Sequence, residues 1–122
     1  MSEVTYRQLM EDSLMIRYLG DSPKLRIIDY LLYFPLNDFT KKEILEAVGM
    51  SKQTFYKHFG QLIEEGMVAP TRRIARATLY RVNKQHPVVR KLDELVEETS
   101  LKMAESEKQR MEKKVPLAVR AR

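Results

Sequence analysis

A change of period at Gly66 constrains this chain more than any other feature. Before it, Ser51 opens a helix running to about Glu65, with apolar positions Phe55, Phe59, Leu62 and Ile63. These are spaced by four, three and one residues, the stepping of an amphipathic helix. After it, "MVAPTRRIARATLYRV" sets Val, Thr, Ile, Leu and Tyr in loose alternation. That reads as a two-stranded hairpin of roughly residues 67–73 and 77–82. The centre, Ile74 to Ala77, contains no glycine, so its residue types do not fix the turn geometry. Pro70 suits an edge strand, where a missing N–H breaks no ladder.

Two more helices precede this unit. In "GDSPKLRIIDYLLYFPLND", Ser22 is an N-cap and Pro23 occupies the first helical position, where its absent N–H is no loss. Leu25, Ile27, Ile28, Leu31 and Leu32 make this helix apolar around most of its circumference, which predicts a place at the centre of the fold. Pro35 ends it. Thr40 then caps "TKKEILEAV", and Glu43 completes a capping box. Ile44, Leu45 and Val48 form its inner stripe, and Gly49 supplies a left-handed turn.

The flanks are less regular. Residues 1–21 have a mixed period; one helix, two short helices, or a helix and a strand all fit, and the segment could support a dimer. From His86, read as a turn or N-cap, a helix over 86–111 follows. Val88, Leu92, Leu95, Thr99 and Met103 step by four, three, four and four, with Val89 and Val96 alongside. We expect Val88, Leu92, Leu95, Val96, Thr99 and Met103 to form a homodimer seam. Residues 112–122 read as a basic, frayed tail. The expected fold class is mainly α with a small β-hairpin wing: a winged helix-turn-helix domain over 22–83 plus a long C-terminal dimerisation helix.

Two short capped helices joined by "VGMS", the second longer and basic on one face, have the helix-turn-helix pattern. Base edges in a major groove are read by amides, hydroxyls and cations. Gln53 could pair with adenine, Thr54 with a base or a thymine methyl, and Lys52 or Lys57 with guanine or phosphate. Ser51 can cap the helix while the helix terminus takes a phosphate. Tyr56 could stack on a sugar or close the core edge. At the hairpin tip Thr71, Arg72, Arg73 and Arg76 are placed for backbone or minor-groove contact, and Lys41 and Lys42 are additional phosphate candidates or simply solvated lysines. Over residues 51–82, Lys52, Lys57, Arg72, Arg73, Arg76 and Arg81 face only Glu64 and Glu65. The whole chain carries a net charge of +5, compatible with nucleic acid as a partner.

The run "EILEAVGMSKQTFYKHFGQLIEEGMV" resembles the winged helix-turn-helix transcriptional regulators, in particular the broad ArsR- and MarR-like group common in bacteria and archaea. The matching positions are Ile44, Val48, Gly49, Met50, Ser51, Phe55, Leu62, Gly66 and Met67. The lead-in "YLGDSPKLRIIDYLL" is similar to the Leu-Gly-Asp-x-x-x-x-Arg-Ile run of ArsR-type proteins, and the likeness spans residues 18 to 82, about half the chain. Two departures matter. Leu45 stands where the family often has Ala, implying a different helix crossing, and the metal-sensing Cys and His ligands are missing. The resemblance implies a DNA-binding regulator that does not sense metal.

Other classes find little support. There is no Cys, and His58 and His86 are the only histidines, so disulfides, a catalytic thiol and a histidine-rich metal site are not expected. His58 reads as a surface or helix-packing residue. No phosphate loop, nucleophile elbow or metal-ligand spacing occurs, so the expectation is no enzyme, no cofactor and no metal. No apolar run approaches membrane-spanning length, and "MSEVTYRQLMEDS" is too polar for a signal peptide. The expected protein is therefore cytoplasmic and nucleoid-associated, with double-stranded DNA and a second copy of itself as partners and no small-molecule ligand evident. The rival readings are a winged-helix interaction module of a larger assembly and an architectural or plasmid-maintenance DNA-binding protein with little sequence preference.

Overall fold

Each helix begins at a side chain that satisfies its first backbone donors. The computed structural model describes residues 13–114, which form α1 (Leu14–Leu19), α2 (Pro23–Tyr33), β1 (Phe39–Thr40), α3 (Lys41–Val48), α4 (Lys52–Glu64), β2 (Val68–Ile74), β3 (Ala77–Val82) and α5 (Pro87–Lys114). Ser22 Oγ accepts the Leu25 N–H at 3.1 Å. Thr40 and Glu43 complete the capping box in both directions, at 3.2 and 2.9 Å. Ser51 Oγ accepts the Thr54 N–H at 3.2 Å, and His86 Nδ1 accepts the Val88 N–H at 3.2 Å at the start of α5. Caps of this kind contribute about 1 kcal/mol each.

Gly49 closes α3 in the left-handed region, at φ 64° and ψ 42°. The chain reverses there and enters α4 within two residues. The expectations for residues 1–12 and 115–122 lie outside the described residues; within 13–21 the conformation is the short helix α1.

The core confirms the central place expected for α2. Ile27, Ile28 and Leu31 are buried in it, with Ile44 and Val48 of α3, Phe55, Phe59 and Leu62 of α4, Val68 and Val82 of the hairpin, and Val89 of α5. α2 packs against α1, α3, α4 and β3. A polar residue of its first turns and one of its lead-in help to hold it there. Arg26 makes a bidentate pair with Asp21 at 3.2 and 2.6 Å and donates to the Val48 carbonyl at 3.2 Å, so it also caps the C-terminal end of α3.

The sheet has three antiparallel strands in the order β1-β3-β2. Val68 pairs with Val82 and Ile74 with Ala77, so Ala75 and Arg76 form a two-residue turn. Ala75 has φ 55°, a left-handed conformation that glycine usually supplies. Pro70 lies on the outer strand, as its chemistry requires. Thr71 is the extra residue of a bulge between Pro70 and Arg72. β1 was not expected: Phe39 and Thr40 pair with Tyr80 and Leu79, covering the other edge of β3 just before α3 begins.

Candidate nucleic-acid interface

The two faces of α4 differ completely. Phe55 and Phe59 are buried and stacked, ring centroids 5.0 Å apart. On the opposite side Gln53, Tyr56, Lys57 and Gly60 follow one another at helical spacing, and all four are exposed. Lys52 is exposed beside them, its ammonium 6.0 Å from the centre of the Tyr56 ring. Tyr56 is 44% exposed yet meets Phe55 edge-on at 5.6 Å. It closes the core edge and still presents surface. Thr54 is half-buried, and its hydroxyl oxygen accepts from Ser51 Oγ at 2.8 Å. That pair is engaged at the cap, leaving Lys52, Gln53 and Lys57 as the outward polar groups of the first turns.

The hairpin divides its arginines between two tasks. Arg72 donates to Asp38 through Nε at 2.9 Å and Nη2 at 3.2 Å, and Thr71 donates to the same carboxylate. The Arg72 bonds, then the Thr71 bond, hold the Asp38 carboxyl down at about 2. Sequence alone placed Thr71 and Arg72 with the tip residues; the structure commits both to tying the middle of β2 to the segment after α2. Arg73 and Arg76 are exposed and make no ion pair among the described residues. They are the available cations of the hairpin.

Lys41 is half-buried, with its ammonium 5.7, 5.9 and 5.6 Å from the ring centres of Tyr56, Phe59 and Tyr80. It bridges α3, α4 and β3 through their aromatic rings, so its charge is held where helix and hairpin meet. Lys42, next to it, is exposed. His58 is partly buried with Nδ1 lacking a partner, in keeping with a packing role.

The residues expected along the C-terminal helix separate into two groups. Leu92 and Val96 pack on the chain's own core around the fully buried Val89, and are therefore not free for a partner. Val88 and Met103 are exposed, Leu95 is half-buried, and the Thr99 hydroxyl donates to the Leu95 carbonyl at 2.7 Å. From Ser100 to Met111 every residue is exposed.

Sequence reasoning missed one polar position. Asp29 is 5% exposed in the middle of α2. Burial pushes its carboxyl up to about 6, against the opposing hydrogen bond from Ser13. The signal was there in "RIIDYLL", a lone acid in the most apolar helix of the chain.

Among the described residues no helix is long and apolar enough to cross a membrane, and no three His, Cys, Asp or Glu side chains gather where a metal ion could be held. Comparison with known protein families, with curated proteins and with solved structures finds no match to this chain.

Proposed function

We propose that the chain is a winged helix-turn-helix protein that binds double-stranded DNA as a homodimer and regulates transcription. One observation carries the reading: the outward face of α4 holds Lys52, Gln53 and Lys57 without an acid between residues 51 and 63, and the adjoining hairpin ends in the unpaired Arg73 and Arg76. A helix of 13 residues is about 20 Å long and fits a major groove. In this arrangement Gln53 reads a base, Lys52 and Lys57 take guanine or phosphate, and the wing arginines grip the neighbouring backbone. Lys41 and the Asp38–Arg72 pair then serve to fix the wing relative to α4.

Self-association through the outward side of α5 would set two such helices about 34 Å apart, on successive major grooves of one DNA face. The uncovered second half of α5 supports this, since an isolated helix gains little stability without a packed face. Binding-site selection followed by competition with mismatched duplexes tests the reading. Gln53→Ala is expected to flatten discrimination at one base pair per half-site by about 1–3 kcal/mol, whereas Arg73→Ala weakens all sequences alike and lowers the salt slope by about one. Wild-type behaviour from both variants would contradict it. A shallow, sequence-indifferent footprint with the same salt slope would instead mark an architectural DNA-coating protein.

A further inference from the structure

α1, α2 and α5 enclose a partly open cavity of about 210 Å³ beside the face of α2 that bears Asp29, Leu32 and Tyr33. Leu14, Met15, Leu32 and Val96 give it apolar walls, and Asp29 and Asp93 give it two acids. The acids are not equivalent. Asp93 is neutralised by Lys84 at 3.3 Å. Asp29 receives the Ser13 hydroxyl proton on Oδ1 at 2.8 Å, while its Oδ2 is buried with no partner. A buried acceptor left unmade is unfavourable, the more so when it is charged, and no cation of the described chain is paired with this one.

We propose that this cavity binds a small organic cation, a protonated amine on a ring-sized apolar body, with the Asp29 carboxylate accepting from the ammonium. Size, wall chemistry and charge all select that class. An apolar cavity of about 150 Å³ admits benzene, so a single ring with one short polar arm fits the space. The apolar walls take the ring, and the unpartnered carboxylate takes the charge. A neutral alcohol of the same shape gains only a weaker bond there, and a carboxylate would meet Asp29 with like charge. Ser100, also on the wall, offers a second acceptor for the ammonium's remaining donors. The proposal uses none of the residues assigned to DNA and stands independently of that reading.

Isothermal titration of the full chain with benzylamine and cyclohexylamine, beside benzyl alcohol and benzoate, is the test. The expected result is submillimolar binding of an amine, at least roughly tenfold weaker binding of both isosteres, and a loss of roughly tenfold or more in Asp29→Asn, as for removal of a charged hydrogen bond. Circular dichroism checks that the variant is folded. Val96→Phe, which fills the space and leaves Asp29 in place, is expected to abolish binding as well, and amide shifts in the wild type should centre on Met15, Leu32 and Val96. No binding of either amine, equal binding of alcohol and amine, or full retention in Asp29→Asn would each overturn the proposal and leave a water-filled cavity.

Discussion

At the scale of single residues, Asp29 and Gly60 each set a local preference against the needs of the rest of the chain. The folded Asp29 carboxyl titrates at about 6, above its ordinary value of 3.8. Between these values the folded chain keeps a proton that the unfolded chain has released. The stability from that proton is complete below about pH 4, declines as pH rises to about 6, and is absent above it. A shift of this size corresponds to roughly 2–3 kcal/mol. Asp93 with its Lys84 partner and Tyr33 are the other titratable groups at the cavity. Urea midpoints at pH 4 and pH 8 should therefore show Asp29→Asn gaining on the wild type at pH 8 and losing that advantage at pH 4. A difference that does not change with pH would contradict the assignment.

Gly60 is a different case. It lies inside α4 on the exposed face, and an added Cβ would meet nothing within 4 Å. Gly60→Ala should stabilise the fold by about 0.5–1 kcal/mol through helix propensity alone. If the α4 backbone lies close against DNA, the same change should weaken binding while raising the melting temperature. Both are measured on one sample, and an unchanged affinity would place Gly60 outside the contact.

At the scale of elements, what the sequence disclosed follows from how local each determinant is. The Ser22–Pro23 start, the Thr40–Glu43 box, the Gly49 turn and the Ser51 cap each act within about four residues, so their residue types declare them. β1 has only two residues and no period of its own; it exists because β3 offers a free edge. The hairpin turn was opaque because Ala75, not glycine, takes its positive φ. The Asp38 clamp joins residues 34 positions apart, which no spacing rule reaches. The stripe on α5 was visible, but periodicity cannot say what covers it: Leu92 and Val96 meet the chain's own core. What remains for a partner is the side bearing Leu95 and Met103. Leu95→Glu/Met103→Glu should convert a sedimenting dimer to a monomer with its far-ultraviolet dichroism intact. A wild-type chain that stays monomeric at all concentrations would rule that seam out.

At the scale of the whole molecule, charge is distributed by element. Over residues 51–82, Lys52, Lys57, Arg72, Arg73, Arg76 and Arg81 outnumber Glu64 and Glu65, whereas acids and bases balance along α5. A molecule so divided presents a polyanion with one attractive end, and docking there would release counterions in proportion to the phosphates neutralised. The most direct measurement is fluorescence anisotropy of labelled random-sequence duplex DNA titrated with the full chain at several salt concentrations, with Lys57→Glu/Arg73→Glu alongside. Submicromolar binding that weakens steeply with salt in the wild type and vanishes in the folded double variant is the expected result. No binding by the wild type even at low salt, or equal binding by the double variant, would contradict DNA recognition by α4 and the wing.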